Sequence, residues 1–142
     1  MRTITTEITI AAPASRVWDI LMNFSAYGAW NPFITSIEGA ATAGARLKAE
    51  LTLPGGRTMG FKPEVTAVEH ERFFQWLGKV GFKGIFDGRH SFRISPTEHG
   101  VRFEQSEQFT GVLSRVMAGS MGRNTREGFE AMNLALKQRA EA

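Results

Sequence analysis

Two stretches of the 142-residue chain carry polar groups at positions whose neighbours on the same face are apolar. In residues 84–95, Phe86, Gly88, His90, Phe92 and Ile94 alternate with Asp87, Arg89, Ser91 and Arg93, so His90 shares the apolar face of a strand. In residues 101–110, Val101, Phe103, Gln105, Glu107 and Phe109 alternate with Arg102, Glu104, Ser106 and Gln108. His90, Gln105 and Glu107 are therefore expected to face an apolar interior. A lone buried carboxylate is costly, so Glu107 should be neutral, paired or hydrated, and His90 on the neighbouring strand is its natural partner. Such a pair can anchor a ligand's hydroxyl or carbonyl, serve as a catalytic acid/base couple, or satisfy itself as core structure. The turn around residues 96–100 decides whether His90 lies opposite Gln105 or Glu107, and pattern alone leaves both registers open.

The elements that must position these residues follow from periodicity. Residues 3–10 are rich in β-branched side chains with alternating Ile4, Thr6, Ile8 and Ile10, which predicts a strand. Pro13 suits a first helical turn, and Val17, Ile20, Leu21 and Phe24 follow at helical spacing. A second short helix is expected before Trp30-Asn31-Pro32, where Asn31 reads as a turn initiator or a ligand contact. Trp18 can pack either outward or over the sheet. From Phe33 the period falls to two, giving six strands at 33–38, 45–53, 58–69, 73–79, 84–95 and 101–110, separated by Gly- and Pro-rich turns. Short connections imply an antiparallel meander. Residues 114–139 form a long closing helix with Leu113, Met117, Met121, Gly128, Met132 and Ala135 near one face.

Composition excludes several classes. One domain covering residues 1–142 fits the length, and no repeat or linker divides it. No apolar run suits a membrane helix or a signal peptide, so a cytoplasmic protein without membrane insertion is expected. There is no cysteine, hence no thiol nucleophile or thiolate metal site. The net charge is only +3, with basic residues dispersed among acids; Arg115, Arg123, Arg126, Lys137 and Arg139 on the last helix read as a solvated face rather than a nucleic-acid surface. No nucleophile elbow, Walker loop, dinucleotide fingerprint or His-rich metal motif is present, so no cofactor and no metal are expected.

The order strand, two helices, six strands, long helix resembles the START-like superfamily, also called SRPBCC or helix-grip proteins. These include birch-pollen-allergen relatives and proteins of the polyketide cyclase/dehydrase and lipid-transport type. The resemblance runs through Ala11-Ala12-Pro13-Ala14-Ser15-Arg16-Val17-Trp18-Asp19-Ile20-Leu21, Tyr27-Gly28-Ala29-Trp30-Asn31-Pro32-Phe33, Trp76-Leu77-Gly78, His90-Ser91-Phe92 and the segment from Phe103 to Gly111. It implies an α+β helix-grip fold, a curved antiparallel sheet of about seven strands wrapped around the C-terminal helix. The fold hosts cyclases, transporters, chaperone activators and plain binders, so it does not by itself specify an activity.

A cavity between sheet and helix is also argued from residues. Gly119, Gly122 and Gly128 each cost up to about 1 kcal/mol inside a helix, and space beneath the helix, or a bend, would account for them. An empty cavity of about 300 Å³ would cost roughly 7 kcal/mol, so it should hold a ligand or water, or be plugged by the many Phe and Met side chains. Its expected lining is Trp30, Asn31, Phe74, Trp76, Phe86, His90, Phe92, Phe103, Gln105, Glu107, Met117, Met121 and Asn124. The leading expectation is binding or transport of a small hydrophobic molecule. The alternatives are a cofactor-independent cyclase or dehydratase using His90 and Glu107 as acid and base, and an interaction module acting through the sheet's outer face. Leu77, Val80 and Phe82, apolar residues left near a turn, favour a homodimer.

Overall fold

The computed structural model describes residues 2–53, 55–80, 86–111 and 114–142, with side chains described for all of these except Val80, Phe86 and residues 114–122. Among the described residues, eight strands, three α-helices and a single 3-10 turn (Phe24–Ala26, between α1 and α2) follow in the order β1 (Arg2–Ile10), α1 (Ala14–Met22), α2 (Tyr27–Trp30), β2 (Ile34–Glu38), β3 (Lys48–Thr52), β4 (Thr58–Phe61), β5 (Glu64–Glu69), β6 (Phe73–Val80), β7 (Phe86–Thr97), β8 (Gly100–Thr110) and α3 (Ser114–Glu141). The fold is α+β, as the pattern implies. β1, β8, β7, β6 and β5 form a five-stranded sheet in that order, and β2, β3 and β4 form a second sheet of three.

The expected strand 58–69 is two strands, one in each sheet. The break falls at Lys62-Pro63, because proline has no N–H to continue a ladder. The Pro63 carbonyl still accepts from Leu47 N at 2.8 Å, and the isolated Arg46–Glu64 bridge stitches the two sheets together at this step.

The β7–β8 hairpin fixes the register that pattern left open. Thr97 pairs with Gly100 across the two-residue turn Glu98-His99, and each step along the ladder carries this forward until His90 lies opposite Glu107. Gly100, with φ of +153°, lets the end of β1 approach closely: a Cβ there would sit 2.1 Å from Ile10 O.

Trp18 is buried with Val17 and Leu21, which settles its direction towards the core. α3 is tied along the edge strand β1. Arg126 Nη1 donates to Thr5 O at 3.3 Å and Lys137 Nζ to Thr9 O at 3.0 Å, so these two cations serve the free carbonyls of a sheet edge rather than only facing solvent. At the end of α3, Arg16 donates to Ala140 O and Arg139 O, meeting carbonyls that the helix itself leaves unpaired.

Under α3 the core is filled by rings. Phe33 packs edge-on against Phe129, while Phe74, Trp76, Phe92 and Phe103 form a continuous aromatic wall on the sheet. A Cβ on Gly128 would lie 2.3 Å from two atoms of the Phe33 ring. Of the outcomes expected for the space beneath the helix, the one seen at Gly128 is plugging by a side chain: Phe33 occupies it. Leu113, Gly119 and Gly122 have no side-chain description that bears on the rest of that argument. Of the residues argued to favour a homodimer, Leu77 is half-buried, and Val80 and Phe82 lie outside the described side chains.

Candidate functional site

β7 and β8 bring His90, Gln105 and Glu107 onto one face, as alternation requires. His90 is 3 % exposed and Gln105 is fully buried. The imidazole lies between two rings, stacked on Phe92 with centroids 4.4 Å apart and on Phe129 at 4.7 Å, with Trp76 edge-on at 4.9 Å. Its Nε2 is 2.9 Å from Gln105 Oε1, a diagonal neighbour across the ladder.

The polar contacts continue away from His90. Gln105 Nε2 donates to Asn133 Oδ1 at 2.7 Å and also reaches Phe129 O at 3.4 Å. Asn133 Nδ2 donates to Thr6 Oγ1 at 3.0 Å. A chain of buried polar side chains thus crosses the core from β7 through β8 to α3 and back to the edge strand β1. Asn133 and Thr6 were not foreseen. The pattern of residues 3–10 predicted a strand, and the structure adds that Thr6 on it is buried and meets Asn133 of α3.

On its other side His90 faces Glu107, whose Oε1 is 3.9 Å from Nδ1, too far for a hydrogen bond. Glu107 Oε2 is buried and has no hydrogen-bond partner among the described residues. Ile4 on β1 is the cross-strand partner of Glu107, Gln105 and Phe109 flank it on the same face of β8, and all three are buried, while the Glu107 side chain itself is 15 % exposed. Gly88 makes room for it: a Cβ there would lie 3.0 Å from Oε2. Gly88 pairs with Gly78 on β6, so side chains are missing from two adjacent strands, and the Phe61 ring of β4 leans over Gly78 with its nearest atom 3.6 Å from a virtual Cβ.

Desolvation dominates the ionisation of both partners. Burial lowers the His90 pKa to about 4, with the hydrogen bond to Gln105 opposing the shift, and raises that of Glu107 to about 8. Both shifts favour an uncharged imidazole beside a protonated carboxyl group at neutral pH over an ion pair. In that state the pair can donate through Glu107 and accept through His90.

The remaining expected site residues divide into three groups. Phe74, Trp76, Phe92 and Phe103 are fully or almost fully buried and contact one another, so they build the wall behind His90. Trp30 and Asn31 belong to another part of the molecule. Asn31 Oδ1 accepts from Phe33 N and Ile34 N, both at 2.9 Å, which is the turn-initiating role. Trp30 packs edge-on against Tyr27 and lines a surface groove of about 700 Å³ with Arg16, Asp19 and Arg139, and none of His90, Gln105 or Glu107 lines that groove. Asn124 is half-buried on α3, while the side chains of Phe86, Met117 and Met121 lie outside the described residues.

The family described as polyketide cyclase / dehydrase and lipid transport matches residues 1–141, and the chain belongs to it. No curated protein sequence matches the chain. Solved structures share the fold at low identity. A protein from Mycobacterium smegmatis, Ms6760, is 18 % identical with a TM-score of 0.75, over 99 % of this chain and 91 % of its own. Ara h 8.0201 is 14 % identical with a TM-score of 0.74, over 98 % and 97 %. The di-domain ARO/CYC protein BexL, from the BE-7585A biosynthetic pathway, is 14 % identical with a TM-score of 0.77; the match covers 99 % of this chain and 50 % of BexL, so the chain spans half of that protein. Among the described residues no helix is long and apolar enough to cross a membrane.

Proposed function

We propose that the protein binds a small, mainly apolar molecule between the Gly78–Gly88 end of the five-stranded sheet and the long helix, with the Glu107 carboxyl as the polar anchor. The observation that carries this reading is the Glu107 Oε2 atom, buried with no hydrogen-bond partner among the described residues. A buried polar oxygen left without a partner costs about 1–3 kcal/mol, which a ligand hydroxyl or carbonyl at that position would recover. The aromatic wall of Trp76 and Phe92 supplies apolar surface beside it, and family membership supports a hydrophobic ligand.

The test is purification from the native host, denaturing extraction and mass spectrometry, with a thermal-shift screen of lipids and aromatic compounds alongside. Recovery of one apolar compound that raises Tm supports the reading. An extract without such a compound, together with no shift from any member of the screen, rejects it.

A second reading draws on the protonated state of Glu107. A carboxyl group with a pKa near 8 is suited to general-acid work near neutral pH, such as protonating a departing hydroxyl in a dehydration. His90, with its pKa lowered to about 4, is a poor base there, so the acid/base couple is one-sided. Glu107→Gln separates the readings because the amide keeps a donor but transfers no proton. Binding kept with turnover lost identifies an acid; binding and turnover both kept identifies an anchor.

A further inference from the structure

The buried chain of side chains leading away from His90 has a direction. Asn133 Nδ2 donates to Thr6, so Asn133 Oδ1 is the atom turned to Gln105. That oxygen and Phe129 O are both acceptors, and both are met by Gln105 Nε2, which leaves Gln105 Oε1 as the atom facing His90. An acceptor at 2.9 Å from Nε2 requires a proton on Nε2. A neutral imidazole carries one N–H, so Nδ1 is bare. The bare nitrogen is the one turned to Glu107.

We propose that Gln105 and Asn133 are positioning residues that hold His90 in its Nε2–H tautomer and so present Nδ1, as a hydrogen-bond acceptor, beside the Glu107 carboxyl. Resting on the ligand-binding reading above, this defines what the site asks of a ligand: a hydroxyl can give its hydrogen to His90 Nδ1 while its oxygen accepts from Glu107. A ketone or ether oxygen meets only half of that arrangement. The burial that lowers the imidazole pKa keeps the ring neutral at pH 7, so a single tautomer is defined there.

The same network explains why polar residues are tolerated here. Thr6, His90, Gln105 and Asn133 are each at most 7 % exposed, and each has a partner within the chain. Among the described residues, Glu107 Oε2 is where the network ends without one.

The experiment is nitrogen-15 NMR of the His90 ring at pH 7 in full-length protein refolded after denaturing extraction, so that its outcome does not depend on a bound molecule. Wild type should show Nε2–H over Nδ1–H by at least about tenfold, the ratio that one hydrogen bond of ordinary strength sustains. Gln105→Met keeps volume but removes the acceptor, and the ratio should fall about tenfold or invert. Asn133→Leu, which does not touch His90, should lower it less because Phe129 O still holds the Gln105 amide, and Asn133→Asp should restore it. A role in packing alone would leave the ratio unchanged in all three. If Gln105→Met does not fold, wild type decides: a dominant Nδ1–H signal overturns the proposal. An extract without an apolar compound, together with no thermal shift in the screen, would reject the ligand-binding reading without altering the tautomer result.

Discussion

A glycine faces the core at Gly128 on α3 and again at Gly88 on β7, and the two positions are used in different ways. At Gly128 a Cβ would lie 2.3 Å from the buried Phe33 ring; at Gly88 it would lie 3.0 Å from Glu107 Oε2. The first neighbour is a buried ring packed edge-on against Phe129. The second is the far end of a flexible carboxyl. One glycine lets rings close a core, whereas the other gives room to an ionisable group that the core does not satisfy. The core beside Gly128 is closed by rings, whereas Gly88 sits beside polar capacity left unused at Glu107.

Gly128→Ala is the sharpest test of this contrast. Alanine favours a helix by about 1 kcal/mol over glycine, but overpacking a close-fitting core costs typically about 1–3 kcal/mol and more when the neighbour cannot move. The clash should win, with a net loss of about 2 kcal/mol read as a lower denaturant midpoint at unchanged slope. A gain in stability would show that Phe33 yields readily and that the two ends do not differ in this way.

The pH dependence probes the other end. Glu107 keeps its proton to about pH 8 in the folded protein, against about 4.5 when unfolded, so its contribution is complete below pH 4.5 and is lost as pH rises through 8. His90 behaves oppositely. With its pKa lowered from 6.5 to about 4, its contribution is complete above pH 6.5 and is lost as pH falls towards 4. The two slopes oppose each other between about pH 4.5 and 6.5, leaving a loss of stability from pH 6.5 to 8 of at most about 2 kcal/mol due to Glu107. Glu107→Gln should abolish that loss and unmask, between pH 6.5 and 4.5, the His90-linked loss on acidification that Glu107 offsets in the wild type. A wild-type stability that is flat from pH 6.5 to 8 would mean that Glu107 is already ionised at neutral pH.

Much of this arrangement was legible in the sequence, for reasons that differ from residue to residue. Strand alternation has a period of two, so the inward placement of His90, Gln105 and Glu107 needed only the assumption that Phe92 and Phe103 face the core. The register needed more. It depends on a two-residue turn at Glu98-His99, whereas the cluster Pro96 to Gly100 reads as a longer loop; Pro96 in fact pairs with Val101 within the ladder. The split of residues 58–69 at Pro63 was signalled by the proline, which outweighs the β-branched residues that follow it. Asn133 could not be found from periodicity. An asparagine among Met132, Ala135 and Leu136 reads as polar surface, and its partners Gln105 and Thr6 are remote in sequence. Arg126 and Lys137 were taken for a solvated face because the unpaired carbonyls of an edge strand leave no mark in the helix that serves them.

The smallest effect separates the two glycines most cleanly. Gly88→Ala should change stability by less than about 1 kcal/mol, since Glu107 can withdraw by a few tenths of an ångström and alanine is the less costly strand residue. What it should change is coupling. Residues in contact give interaction energies of about 0.5 kcal/mol or more in a double-mutant cycle, and separated ones add to within about 0.3–0.5 kcal/mol. Gly88→Ala combined with Glu107→Gln, measured by urea denaturation at pH 8, should depart from additivity, because at that pH the carboxyl displaced by the new methyl group is partly ionised and the amide is not. Gly128→Ala combined with Glu107→Gln should add. Additivity in both cycles would remove the assignment of Gly88 to the Glu107 site; non-additivity in both would mean that the ring-filled end and the carboxyl end respond as one core, and the contrast between them would fall.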